Sequence, residues 1–357
     1  MPPPRKADDP MIVRFMRPAA AACGLISLLG SGCSEPVNEY ALRQRAIQGL
    51  KAGIRYQHNP VVRAQAIEAL QSTAPEEGIL WFQEALRDEH PGVRFAACMA
   101  LGAMRHGPSR DLLLPLLDDP AASVQAAAIY ALHRLGDTRH TSRLAAILLR
   151  HPDPAVRNNA AMVLGRLGDK GAVSLLRRAV RDDEVMLQVV EAMALLGDER
   201  AIQHLTLLAH DARGDRQILA LQALGACRGA KALGAARFQF QDSTVLETRL
   251  AAARTLGLLG YRDGLKLALE QIDFDQPNPQ LEGDPPANQI MRIRALAAMA
   301  LGAIGDESAL PKLQARLEAQ DDPRVQVAAA KAILDILNAH APALPRLAAA
   351  EGSTTPE

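Results

Sequence analysis

An all-α superhelix of about nine two-helix repeats is the fold the sequence predicts, and three observations predict it. The first is a spacing that recurs from near Asn59 to near Leu334, clearest in His151–Asp169 (HPDPAVRNNAAMVLGRLGD). With Val156 as the zero position, alanine falls at +4 (Ala160), a small residue at +7 (Val163), leucine at +8 (Leu164) and Gly-Asp at +12 and +13 (Gly168, Asp169). Eight further segments fit, with zero positions from Val62 to Val325, and successive +8 positions are separated by 31, 31, 32, 29, 31, 32, 45 and 32 residues. A period of this size marks a stack in which no unit buries its apolar face alone. The second observation is angular: positions 0, +4, +7, +8 and +11 fall within a stripe about 100° wide on a 3.6-residue helix. The third is composition. The chain is 48% hydrophobic but 3% aromatic, which suits a long, thin core of alanine and leucine better than a compact enzyme core.

Taken in order, the chain begins with Arg14 and Arg17 ahead of an apolar run, Ala19–Gly30, that is too short to span a membrane and reads as a secretory signal covering residues 1–32. Met11 is an alternative start. Residues 33–37 form a tether, and the first outer helix follows over Val37–Tyr56. Each later repeat opens at a turn such as Asn59-Pro60, His90-Pro91, Asp119-Pro120, Asp153-Pro154 or Asp322-Pro323, where proline suits the first helical turn and Asp or Asn the cap. Gly136-Asp137, Gly168-Asp169, Gly197-Asp198 and Gly305-Asp306 end one helix at glycine and cap the next with aspartate. The step of 45 residues holds an insertion, 273–289 (DFDQPNPQLEGDPPANQ), whose four prolines and four carboxylates make it a solvated loop between the helices of the eighth repeat. The repeats fill 38–338, and 339–357 reads as a disordered tail.

The Asp-Pro turn, the Val-Arg pair (Val62-Arg63, Val93-Arg94, Val156-Arg157), the Ala and Leu rows and the Gly-Asp ending resemble a HEAT repeat, in the short variety found in the phycobilin-lyase-like group. The resemblance implies that the second helix of each repeat lines a concave face. The pair departs from the pattern at Val124-Gln125, Val185-Met186, Arg216-Gln217 and Val325-Gln326, so a continuous arginine ladder is not expected. Small residues and a cysteine after the apolar run (Gly30-Ser31-Gly32-Cys33) resemble a bacterial lipoprotein signal, although Gly30 stands where that family has Leu, Val or Ile. That resemblance implies lipidation of Cys33, anchorage to a membrane and an exported, periplasmic place in the cell envelope. An ordinary cleaved signal and a signal anchor are the alternatives.

Charge and motifs bound the function. The 40 basic and 40 acidic residues balance, and loss of the leader leaves the mature chain near −2, which gives no basic stripe for nucleic acid. The nine histidines form no HExxH and no His-Glu dipeptide, so no metal or other cofactor is expected, and the glycine rows are helix-packing positions because no strand precedes them. Cys98 and Cys227, four repeats apart, are read as buried small hydrophobes, and Trp81 as an outer-helix residue packed beneath the end repeat. What remains is surface. Positions +2 and +6 project away from the core stripe, and on them Phe95, Met99, Tyr130, Asn158, Met162 and Leu187 are the expected partner-binding residues. The expectation is a non-catalytic scaffold that takes a protein or peptide on its concave face, with a bilin-lyase-like enzyme or accessory, or an envelope linker, as alternatives.

Overall fold

The computed structural model describes residues 38–341, apart from 182, 184, 211–213 and 321. The expected signal segment, Cys33, the tether and the tail beyond residue 341 lie outside the described residues. Eighteen α-helices pair into nine repeats among those described. They are α1 (Glu39–Ile54) with α2 (Pro60–Thr73), α3 (Ile79–Ala85) with α4 (Pro91–Met104), α5 (Arg110–Leu113) with α6 (Ala122–Arg134), and α7 (Arg143–Arg150) with α8 (Pro154–Leu167). Then come α9 (Val173–Ala179) with α10 (Met186–Leu195), α11 (Glu199–Leu208) with α12 (Gly214–Cys227), α13 (Ala230–Asp242) with α14 (Leu246–Leu258), α15 (Leu265–Gln271) with α16 (Pro286–Ile304), and α17 (Leu310–Glu318) with α18 (Pro323–His340). Odd-numbered helices form an outer layer and even-numbered helices an inner one, so the expected all-α solenoid is what the chain builds.

The caps follow from the sequence. The side chains of Asn59, Asp153 and Asp322 accept from the backbone N–H two residues on, at 2.9, 2.8 and 2.9 Å, with proline at the first helical position. At Asp119-Pro120 the turn runs two residues longer and α6 starts at Ala122, although Asp119 makes the same bond, accepting from the Ala121 N–H, and accepts from Arg94 as well. Position +12 needs a left-handed residue. Gly136, Gly168, Gly197, Gly260 and Gly305 supply it, while Arg105 and Arg228 adopt φ of 53° and 50° at the same place, a strain of about 1 kcal/mol each for a residue with a Cβ.

The Val-Arg pair has a packing role. Arg63 donates to the Tyr56 and Gln57 carbonyls, and Arg157 to those of His151 and Pro152, which satisfies the orphan carbonyls where the chain leaves the outer helix. The ladder is more continuous than the departures suggested. Gln125 and Gln326 donate through Nε2 to the Asp119 and Ala319 carbonyls, at 2.8 and 2.7 Å, doing with an amide what arginine does elsewhere.

Inner helices pack through small residues. A Cβ on Gly102 would lie 2.7 Å from the Ala131 Cα, and one on Gly165 2.9 Å from the Ala192 Cα, so only glycine lets consecutive inner helices approach this closely. Cys98 is buried and Cys227 half-buried, both as free thiols, and burial pushes both above the ordinary thiol range. The insertion is exposed along most of its length, as expected of a solvated loop, and is also pinned at its base. Gln289 holds Asn278 and Asp284 through three hydrogen bonds, and Arg292 clamps Asp284 to Glu247. Its last four residues, 286–289, belong to α16, which Pro286 starts.

The largest departure from expectation is at the ends, because the stack closes into a ring. α1 and α2 pack against α18 as neighbouring repeats do. A Cβ on Gly53 would lie 2.9 Å from Ala66 Cβ and 3.0 Å from Val327 Cγ2, and one on Gly49 2.8 Å from Leu317 Cδ1. Arg43 donates to the Asn338 side chain, and Asn338 donates to the Thr73 carbonyl, each at 2.9 Å. Leu42, Ala46 and Leu50 on α1 and Ile333 and Ile336 on α18 are at most 2% exposed. Trp81 accordingly has no end repeat to lie beneath. It sits half-buried on the outer layer with the Arg55 guanidinium 4.1 Å above its ring.

Candidate functional site

In a closed ring the concave face becomes the wall of a lumen, and the repeat dictates what lines it. On an ideal helix the +6 position of each inner helix would face inward, and in order round the ring the row reads Glu68, Met99, Tyr130, Met162, Glu191, Gln222, Arg254, Met299 and Lys331. A cavity of about 570 Å³ opens within this wall, a size in the usual range for a ligand site. Its lining comes from α2, α4, α8, α14, α16 and α18, helices at opposite ends of the sequence that only closure brings face to face.

Of the expected partner-binding residues, Phe95, Met99 and Met162 line this cavity. Phe95 shows one edge to it and is 9% exposed. Asn158 and Leu187 are half-buried and are not among the lining residues. Tyr130 does not project into the lumen. It is 4% exposed and lies against the bare Gly102, so it is part of the contact between the second and third repeats. The difference arises because part of the +2 row and part of the +6 row turn sideways into the seams: Ala126 and Leu250, both at +2, are fully buried. Residues outside the expected set complete the lining, namely Met291, Met299, Arg254, Arg324, Lys331 and Glu68. Met299, Arg254, Lys331 and Glu68 share the +6 row, so the spacing carried a signal, but repeats seven to nine face repeats one to four only in a ring.

The lumen is chemically divided. Met99, Met162, Met291 and Met299 form its soft apolar wall, the kind of surface that adapts to differing ligands. Lys331 is paired with Asp335 at 2.6 Å and Arg324 with Asp322 at 2.7 Å. Arg166 and Arg254 make no hydrogen bond or ion pair among the described residues. Arg166 acts on Glu68 and Glu191 from beyond ion-pair distance, and burial holds the Arg254 guanidinium below its ordinary range despite the field of Asp335. Burial pushes the Glu68 and Glu191 carboxyls above the ordinary carboxylate range, with Arg166 opposing. Glu68 keeps its exposure to lumen water while the surrounding wall thins its hydration. No group of metal-ligating side chains occurs among the described residues.

Raised carboxyl values have a stability consequence. A glutamate whose folded value lies above its unfolded one contributes stability that is present below the unfolded value and lost as pH rises through the folded one. Near neutral pH both ionised carboxylates therefore oppose folding, so the double variant Glu68→Gln, Glu191→Gln should melt roughly 2 °C or more above the native protein at pH 7.5. The gap should close as pH falls below the ordinary carboxylate value, to about pH 3.5, where both carboxyls are mostly protonated in either state. A gap that is absent, or the same at both pH values, contradicts the assignment.

Comparison with known proteins places the repeats. The HEAT-repeat model matches residues 47–133 and 141–225, and the PBS lyase HEAT-like repeat model matches 293–319. No curated protein matches the sequence significantly. Among solved structures, human deoxyhypusine hydroxylase in complex with glycerol is similar at 19% identity over 85% of this chain and 99% of that one, with a TM-score of 0.34. The complex of CpcE and CpcF of phycocyanin lyase from Nostoc sp. PCC7120 is similar at 19% identity over 74% and 94%, with a TM-score of 0.37.

Proposed function

Because the chain carries HEAT repeats and its inner helices enclose one cavity, we propose that it is a non-catalytic scaffold that takes a peptide segment of a protein partner into its lumen. The observation that carries this reading is the methionine wall contributed by α4, α8 and α16. Half-buried thioethers accept apolar side chains of several shapes, and no neighbouring helix covers these four. A segment rather than a folded domain is the occupant. Nine inner helices spaced 8–10 Å apart and treated as a circle leave a clear radius of about 8 Å once the helices' own width is removed, enough for an extended strand or one helix.

The partner is met in the cell envelope, with the ring held to a membrane by lipid on Cys33. No helix of the described residues is long and apolar enough to cross a membrane. Nucleic acid is not a partner in this reading. A second reading, an enzyme or accessory of the bilin-lyase type, draws on Glu68 and Glu191, two carboxyls that burial raises above the ordinary carboxylate range.

Pull-down from membrane extracts tests the scaffold. One stoichiometric partner should be retained by the native chain and lost by the double variant Met99→Asp, Met299→Asp, whose thermal midpoint should stay within about 3 °C because both side chains are only half-buried. Retention of the partner by that variant moves binding off the lumen, and association with bulk envelope polymer instead supports a structural linker. Mass spectrometry of the N-terminal peptide should find diacylglycerol on Cys33; an unmodified mature N-terminus elsewhere removes the anchor.

A further inference from the structure

Resting on the reading of the lumen as a peptide site, we infer that its ligand is an anionic segment, a carboxylate side chain flanked by apolar ones, held by Arg166 and Arg254 against the methionine wall. The chain as a whole is neutral, but the cavity is not. Four cations, Arg166, Arg254, Arg324 and Lys331, line it beside the single carboxylate of Glu68. Two of the four are already neutralised, by Asp322 and Asp335. The other two have no close anionic partner among the described residues.

Arg254 is half-buried on α14 and lines the cavity with no carboxylate or carbonyl of the described residues on its donors, which therefore face the lumen, and burial holds its guanidinium below its ordinary range. Arg166 is more exposed and stands on α8, across the ring in sequence from α14. Its field is shared between Glu68 and Glu191, neither within ion-pair distance. A planar guanidinium presents donors in a fork that matches a carboxylate, so an entering Glu or Asp side chain finds guanidinium donors and thioether surface in the same cavity. Glu68 gives the site polarity. It stands on α2, and Arg166 is the cation whose field it feels, so it repels an anion near Arg166 while Arg254 faces no such carboxylate within ion-pair distance. A neutral apolar segment would fill the methionine wall but leave both guanidiniums unpaired, which is the basis for selectivity.

The probe is a pair of N-acetylated, C-amidated hexapeptides carrying fluorescein on a Gly-Gly spacer, Ala-Leu-Glu-Met-Leu-Ala and its Gln counterpart, titrated against the full-length chain by fluorescence anisotropy. The Glu peptide should bind at least tenfold more tightly than the Gln peptide, and raising salt from 50 to 500 mM should narrow that gap. Arg166→Gln and Arg254→Gln should each weaken the Glu peptide about fivefold or more and leave the Gln peptide unchanged. Arg254→Lys should fall between. Arg166 is exposed, so its variant keeps the test valid even if the Arg254 variant fails to fold. Equal affinity for the two peptides overturns carboxylate recognition and leaves the peptide reading standing. Discrimination between the peptides that survives both arginine substitutions overturns the assignment of the residues. Binding of neither peptide, while Met99→Asp, Met299→Asp still abolishes partner capture, overturns the anionic ligand alone.

Discussion

Removal of the last repeat, residues 309–357, should expose the first. In an open HEAT stack each repeat answers only to its neighbours, so losing the terminal one strips a single interface and leaves distant repeats intact. In the ring, α18 touches α16 on one flank and α1 and α2 on the other. Its loss uncovers Leu50 and Ala66, both fully buried, and removes the Val327 contact at Gly53 and the Asn338 bonds to Arg43 and Thr73. Amide hydrogen exchange should therefore accelerate about 100-fold or more in Glu39–Ile54, more than 250 residues away in sequence, while α8 and α10, on the far side of the ring, change little. Unfolding should also lose cooperativity, since the remaining chain has two free ends. If faster exchange is confined to α15 and α16, then the ring is open in solution and the lumen is a concave face instead.

Tyr130→Ala should cost about 3 kcal/mol of stability, in the range for truncating a buried aromatic, and lower the thermal midpoint by about 5 °C. The phenol ring covers Gly102, where a Cβ would lie 2.8 Å from both Tyr130 Cδ1 and Cε1. Alanine leaves a cavity between α4 and α6 that Ala131, already against the Gly102 backbone, cannot close. The sequence alone suggested the opposite result, a binding defect without loss of stability, because +6 is an inward-facing position on an ideal helix. Gly102 decides otherwise: with no Cβ there, the ring turns from the lumen into the gap. A Tyr130→Ala protein with an unchanged midpoint and weakened partner capture would return Tyr130 to the binding surface.

The sequence by itself determined the repeat, its register and its caps. Those depend on neighbours within one turn of helix: Asp153 reaches the Ala155 N–H, Gly168 takes the left-handed cap, and Arg157 returns to the His151 carbonyl. Helical spacing also determined that Met99 and Met162 face inward, and they do line the cavity. Tertiary structure alone decided closure. Each repeat adds a small rotation set by how deeply Ala and Gly rows interlock, and whether nine such rotations return α18 to α1 depends on their sum, which no local pattern encodes. Closure in turn made the site. It brought Arg254, Met299 and Lys331 into one cavity with Met99 and Met162, and it left Arg166 and Arg254 without close anions, since the carboxylates whose fields couple to them, Glu68, Glu191 and Asp335, stand on other helices and beyond ion-pair distance. Of the +6 row only Tyr130 is buried, its ring lying against Gly102 on the preceding inner helix.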